Sequence, residues 1–585
     1  MRTMFKRFSS LAKFEITIGE IKMYKSLFLD AQNDDKKIIL DYFNLLNGYI
    51  LKKTDPHYPY IQGKFPKQLN SFLNEKELNF DKQSPEDVLF EMAEYFRGTT
   101  RWHHPFVMNN IKTPINLPAA AVAFNTMLLD PNIANDTNCG QIAFAELEVI
   151  KYMSTLIGWN YKNSGGYFTF GGTSTILNAI KAGIHKAKQD VCENGINGDN
   201  LFVVSSQQGH SAHADACNWL GLGKKNCIRV SVDDNYQIDI AEAEKRIVER
   251  IEQGGKLAAI IGCGGTTIQM IVDPIDQLYE LRERIASRFK LSYKPHIHVD
   301  SVVGWVWLFF KNYDYELNPM KLTDVTLNKI KNMERLISKC DYADSVGIDF
   351  HKTGFCPYAS SLFLSKSKQD TFDLNEKPVQ SIDQIEYGEY SPSTYTLELS
   401  RSAIGPLTAL TTLKLLGVCG FRNLLGDIVE GANQLIKGLD RLSGFEVINT
   451  NTNGTCILYI IKPADLMDIS YSELHKKSIE DVKRLALYNY RFYLFVLKKI
   501  NEKQIDFFVD YSSGYEKVKN GFHMGVLKMQ TFNPMLTYEK ISDLLTKIVS
   551  LKDQYDQYQG DFQFETQYKP KKPKLTHNNE KIILL

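Results

Sequence analysis

The chain is 585 residues long and carries 69 Lys and Arg against 68 Asp and Glu, a formal charge of +1. That length allows several domains with a sizeable core, and a charge so near zero supplies no global field to attract nucleic acid or an anionic membrane. The nine cysteines are odd in number and form no CxxC pair, which argues against a disulfide framework and a zinc site and for a reducing, cytoplasmic setting.

The first ten residues are basic but lack the apolar run and cleavage site of a signal peptide, and read as an N-terminal arm. Short amphipathic helical patterns follow, so 1–115 reads as a helical N-terminal segment. Between about 165 and 365, runs rich in β-branched residues alternate with longer helical periods. This is the signature of βαβ units and of a mostly parallel sheet with helices on both faces. Leu201–Ser205, Leu257–Ile261, His296–Asp300 and Ser345–Asp349 are candidate strands, each ending in polar or glycine residues. In such sheets the ligand crevice lies outside the carboxyl ends of the strands, so these ends should converge on one site. The longest apolar run, Val302 to Phe310, is far shorter than the roughly 18 residues of a spanning helix, and no membrane insertion is expected. Residues 366–396 form a polar stretch carrying Tyr387, Tyr390 and Tyr395, expected to be a mobile loop. Helical periodicity from Ser402 to about 443 leads into a smaller α+β domain. The boundaries expected are 116–400 for the large domain, 401–567 for the small one and 568–585 for a Lys- and Pro-rich flexible tail.

Chemistry-bearing residues fall at the predicted element ends. Gly165-Gly-Tyr-Phe-Thr-Phe-Gly-Gly172 is followed by Thr173, Ser174, Thr175 and a helical pattern. Bare backbone and hydroxyls at a helix start suit a phosphate, or simply an N-capped helix after a tight turn. His210, in Ser205-Ser-Gln-Gln-Gly-His210-Ser-Ala-His213, follows a strand end, where a neutral imidazole can lie on an aromatic ring. His213 reads as a packing or capping residue. Gly264-Gly-Thr266-Thr267 closes another strand. Asp300 ends His296-Ile-His-Val-Asp300, and a carboxylate among apolar residues needs a cation, such as a protonated pyridine nitrogen or a structural partner. Lys352 stands in Asp349-Phe-His351-Lys352, just past a β-type run. An amine close to apolar walls sheds its proton readily enough to form an imine with a carbonyl cofactor.

This constellation resembles the fold-type I enzymes that use pyridoxal 5′-phosphate, specifically the group II amino-acid decarboxylases, over about residues 100–540. His298-Val-Asp300 is similar to the family's His-Val-Asp, and Asp349-Phe-His-Lys352 to its Asn/Asp-Pro-His-Lys. Arg101-Trp-His-His-Pro105, Ala145-Glu-Leu-Glu148 and Leu527-Lys-Met-Gln-Thr-Phe-Asn-Pro534 resemble further family segments. Tyr395-Thr-Leu-Glu-Leu-Ser-Arg401 looks most like the bacterial tyrosine decarboxylases.

The resemblance implies an α/β fold with a mostly parallel seven-stranded sheet, pyridoxal phosphate as cofactor, an amino-acid substrate and a homodimer with its active site at the subunit interface. It implies that Lys352 carries the cofactor, Asp300 keeps the ring nitrogen protonated and His210 stacks on the ring. Thr173, Ser174 and Thr175 would hold the phosphate with His351, and Thr266 or Thr267 would lie near the phenolic oxygen. By the same resemblance Thr113 and Asn110 would fall in the substrate pocket, and Tyr387 or Tyr390 would protonate Cα. Arg401 is a candidate for a cofactor-proximal or structural pair.

The chain departs from the pattern in Asp300-Ser-Val302-Val-Gly-Trp305, which puts Val302 where a small alanine usually packs beneath the ring, and in Phe350, which replaces a proline. Two alternatives stay open: a carbon–carbon lyase of the sphingosine-phosphate lyase type, suggested by Gly171-Gly-Thr-Ser-Thr-Ile-Leu-Asn-Ala179, and an inactive scaffold that keeps the fold.

Overall fold

In the computed structural model, which describes residues 27–29, 36–52, 54–61, 83–375, 386–450, 454–517 and 523–558, two compact units are present, Met1–Arg101 and Trp102–Leu585. The first contains the helices Lys36–Leu51 and Pro85–Tyr95. The second of these begins where its sequence dictates: the Ser84 side chain accepts from Asp87 N, Pro85 opens the first turn, and Glu86 and Asp87 face the positive end of the helix dipole. Tyr49 meets Phe90 edge to face between the two helices. Residues 116–400 and 401–567 both lie in the second unit, and 568–585 falls outside the described residues.

The second unit is built on a seven-stranded sheet. Its strands are β1 (Gly165–Thr169), β2 (Leu201–Ser206), β3 (Cys227–Val230), β4 (Lys256–Cys263), β5 (His296–Asp300), β6 (Ser345–Asp349) and β7 (Ser361–Ser365). Their order is β1-β7-β6-β5-β4-β2-β3. Strand β7 runs antiparallel to both neighbours, and the remaining pairs are parallel. Runs such as Phe202-Val-Val204 and Leu257-Ala-Ala-Ile-Ile261 are buried throughout, as a sheet covered on both faces requires. The helix Gly172–Ala187 covers one face through Ile176, Ile180 and Ile184. It comes close because Gly183 and Gly347 are bare: a Cβ on Gly183 would stand 2.5 Å from Ala258 O, and one on Gly347 would stand 2.5 Å from Thr175 Oγ1.

A second, antiparallel sheet holds β8 (Phe445–Val447), β9 (Cys456–Ile461), β10 (Asp510–Lys517) and β11 (His523–Gln530) in the order β10-β11-β9-β8. The helix Ile404–Asp440 leads into it and turns at Gly417, whose φ of 53° is in the left-handed region. Among the described residues it is the one helix long and apolar enough to cross a membrane by length and composition. Here Phe421, Leu425, Ile428 and Val429 on it join the core. The segment 102–113 runs beside the second sheet: Gln530 N donates to Met108 O, and Asn533 Nδ2 to His104 O at 3.0 Å. Two sequence motifs more than 400 residues apart are thereby joined.

Candidate active site

Parallel pairing brings the carboxyl ends of β4, β5 and β6 into register, with Cys263 opposite Asp300 and Asp300 opposite Gly347. One cavity opens there, lined by Gly172, Thr173, His210, Cys263, Thr266, Thr267, Asp300, Val302, Asp349, His351 and Lys352. The convergence expected of the strand ends is present, and most of the singled-out residues share this space.

Lys352 sits in the single helical turn Phe350–Thr353 directly after β6. Its Nζ lies 3.0 Å from Asp349 Oδ2, while Asp349 Oδ1 accepts from Ser361 Oγ at 2.6 Å. Burial works against the ammonium, but Asp349 and Asp300 outweigh it and raise the Lys352 pKa above the ordinary lysine value. The sequence reading of an easily deprotonated amine is therefore corrected: apolar walls are visible in the local sequence, whereas the two carboxylates arrive through the fold. The turn is clamped from outside by Lys112, which is buried and donates from Nζ to His351 O at 2.8 Å and to Cys356 O at 3.3 Å. Thr113 N donates to Lys352 O, and Thr113 Oγ1 accepts from Phe355 N.

Asp300 is buried at the end of β5. Its Oδ2 accepts from His213 Nε2 at 2.9 Å, and His213 Nδ1 meets Ser205 Oγ at 2.5 Å. Burial opposes the charge, yet the His213 hydrogen bond and the nearby Lys352 hold the Asp300 carboxyl well below the usual carboxylate range. Its other oxygen, Oδ1, is buried and has no hydrogen-bond partner. His210 lines the cavity, and its loop is tied down by Arg229, whose guanidinium donates to the carbonyls of Gln207, Gly209 and His210. The cavity walls push the His210 pKa below its ordinary value, so the ring is neutral near pH 7.

Of the three hydroxyl residues after Gly172, only Thr173 reaches the cavity. Ser174 Oγ pairs with Thr169 Oγ1 at 2.5 Å, and Thr175 Oγ1 donates to Gly172 O at 2.7 Å. The side chains of Ser174 and Thr175 thus hold the turn from behind and do not line the cavity. Gly172 has to be bare, since a Cβ there would stand 2.9 Å from Asp349 Oδ2 and 3.0 Å from Val302 Cγ1. Thr266 faces the cavity while Oγ1 accepts from Ile271 N at 3.1 Å. His351 lines the cavity with Nε2 3.5 Å from Asp349 Oδ2. Phe350 and Trp305, two departures from the family pattern, pack on each other with ring centroids 4.7 Å apart, and Phe350 stacks on Phe168.

Other sequence candidates lie elsewhere. Thr113 is a buried tie to the Lys352 turn, and Asn110 is exposed with Oδ1 accepting from Ile111 N. Tyr390 is buried with its hydroxyl donating to Glu146 Oε2 at 3.0 Å, and Tyr387 is 69% exposed; neither lines the cavity. Arg401 forms a buried two-pronged pair with Glu146, at 2.6 and 3.1 Å, and also donates to Phe168 O. That places it in a structural pair. His213, Ser205, Arg229 and Lys112 were missed as contributors. The only sequence signal for His213 was its position three residues after His210.

The residues present fit pyridoxal phosphate. A lysine amine faces the cavity that also contains a bare helix start able to admit an anion, and a buried carboxylate oxygen there lacks a donor. The acidic amino acid decarboxylase GADL1 of Bos taurus is 22% identical over 423 residues, 72% of this chain and 75% of that protein. Crystal structures of mouse CSAD and of Oryza sativa TDC with PLP and tryptamine superpose with TM-scores of 0.72 and 0.69 at 17% and 14% identity. They cover 88% and 90% of this chain and 99% of each of theirs, and at that identity they establish the fold. A family model described as "Pyridoxal-dependent decarboxylase conserved domain" matches residues 66–462, and on that match this chain belongs to the pyridoxal-phosphate-dependent decarboxylases.

Proposed function

We propose that the chain removes the α-carboxylate of an L-amino acid with a neutral, aromatic side chain, giving the amine and carbon dioxide, with Lys352, Asp300 and His210 as the working residues. The observation that carries this reading is the pairing, in one cavity, of Lys352 with an ionised Asp300 whose Oδ1 lacks a partner. When bound, pyridoxal phosphate supplies an electron sink for the pair released as the carboxylate leaves. Lys352 would hold the cofactor, Asp300 would keep a positive charge on its ring nitrogen favourable, and the Gly172–Thr173 turn would receive its phosphate. The aromatic side chain is supported by the similarity of Tyr395-Thr-Leu-Glu-Leu-Ser-Arg401 to the bacterial tyrosine decarboxylases. The GADL1 relatives are named for acidic amino acids, which makes aspartate and glutamate the decisive comparison substrates.

Of the two loop tyrosines, Tyr387 is the better proton donor to Cα, because the Tyr390 hydroxyl is committed to Glu146. A homodimer is supported by the exposed apolar residues Leu117, Met127 and Leu129 together with Leu397 and Leu399. A reducing compartment is supported by nine free cysteines.

The test is carbon dioxide release by cofactor-reconstituted protein across the twenty amino acids plus dihydroxyphenylalanine, with Lys352→Ala as control. Release from tyrosine, tryptophan or dihydroxyphenylalanine that vanishes in the control is the expected result. Release from aspartate or glutamate alone overturns the aromatic assignment. Silence from every amino acid despite bound cofactor overturns the activity and points to carbon–carbon lyase chemistry.

A further inference from the structure

His213 belongs to no part of the reaction described above, yet it is fully buried on the first turn of the helix Ala212–Trp219 and spans the space between two strand ends. Its Nε2 lies 2.9 Å from Asp300 Oδ2 and its Nδ1 2.5 Å from Ser205 Oγ. Burial pushes its pKa down, so the ring is neutral and carries one proton. A carboxylate can only accept, so that proton is on Nε2; Nδ1 is then an acceptor, and the Ser205 hydroxyl donates to it. Ser205 and Asp300 therefore select the same tautomer from opposite ends.

The surroundings are shaped for this ring. A Cβ on Gly209 would stand 2.7 Å from His213 Cε1 and 2.8 Å from Nδ1, so the ring occupies room that only a glycine leaves. The loop that brings Gly209 there is held by Arg229. At the far end, Asp300 has one oxygen engaged and one, Oδ1, buried without a partner. Turning the carboxylate away would strand a buried N–H, so its orientation is fixed by His213.

We infer that His213, backed by Ser205, is a positioning residue that fixes the Asp300 carboxylate and reserves its Oδ1 for the ring nitrogen of the cofactor. The inference rests on the pyridoxal phosphate reading and adds to it a relay of three side chains, Ser205 to His213 to Asp300. A chain with an apolar residue at 213 would leave Asp300 free to rotate and less firmly ionised.

The experiment titrates apo-protein with pyridoxal phosphate, following affinity by fluorescence quenching and ring protonation by the absorption band of the bound cofactor. It compares wild type with His213→Leu, His213→Gln and Ser205→Ala. His213→Leu is expected to bind about tenfold more weakly or worse, from loss of a hydrogen bond to a charged group, and to shift the band. His213→Gln retains an N–H donor and is expected to recover most of both. Ser205→Ala is expected to fall between, at about threefold.

Wild-type affinity and an unshifted band in His213→Leu overturn the role, as does a Gln variant no better than Leu at equal thermal stability. Should His213→Leu fail to fold, Ser205→Ala decides alone, and unchanged affinity there overturns the relay. A wild type that takes up no pyridoxal phosphate sinks the cofactor reading and this inference with it, whereas equal binding by wild type and folded variants sinks only the role of His213.

Discussion

Lys352 lies among carboxylates, 3.0 Å from Asp349 and within the field of Asp300, and their combined pull on the ammonium exceeds the cost of its burial. Its pKa is raised, so the neutral amine that couples to an aldehyde is favoured only as pH climbs. Asp349→Asn keeps the acceptor for Ser361 and removes one charge. The midpoint of covalent cofactor coupling should then move to lower pH, as read from absorbance against pH, and an unmoved midpoint would contradict the assigned cause. The loop tyrosines separate in the same way by what each one touches. Tyr387→Phe should lower amine yield and, with dioxygen as oxidant, divert product by oxidative deamination toward the aldehyde, ammonia and hydrogen peroxide, measured by carbonyl trapping and peroxide assay. Tyr390→Phe removes one of the two buried donors to Glu146 Oε2, leaving Arg401, and should lower thermal stability by about 1 kcal/mol with product identity unchanged.

The helix Gly172–Ala187 shows what an element can and cannot reveal from its sequence. Its start after a glycine turn and its apolar stripe were legible, as were β2, β4, β5 and β6 as β-branched runs. Successive helical residues point about 100° apart, so Thr173, Ser174 and Thr175 cannot all face one ligand, and nothing local says which one does. Strand β1 was hidden by Gly165 and Gly166, whose bareness serves close packing on Thr371 and on β7, and β3 by having only four residues. The His213–Asp300 contact joins residues 87 apart in sequence and needs the strand order before it can be seen. Gly183→Ala tests the packing. The new methyl would meet Ala258 O, a backbone atom that cannot step aside, so the usual gain of Ala over Gly in a helix should be reversed to a net loss of about 1–3 kcal/mol. A higher melting temperature in that variant would contradict the fit.

At the scale of the whole molecule, the fold buries histidines as neutral rings. His213, His296 and His298 are fully buried and all have lowered pKa values, His298 down to about 4 from 6.5, with burial the first cause in each. The sign follows from linkage. Below about 6.5 the unfolded chain takes up protons that the folded one refuses, so this stability is fully present above 6.5 and is lost as pH falls toward 4. For His298 alone the shift corresponds to about 3 kcal/mol. Burial also raises the Asp273, Asp370 and Asp427 carboxyls, Asp273 to about 6, which gives the opposite slope over part of the range, but these three stand against five lowered imidazoles, His210 and His351 included. The melting temperature should therefore fall between pH 6.5 and 4, and fall less steeply in His298→Gln; equal slopes would contradict the account.

On the proposed reading Lys352 carries the cofactor at the carboxyl edge of the sheet. The most direct test is borohydride reduction of the cofactor-loaded protein, followed by peptide mass spectrometry. The account predicts a reduced pyridoxyl phosphate group on the peptide containing Lys352 and on no other lysine. A label on a different lysine, or none on protein that demonstrably binds the cofactor, would contradict it.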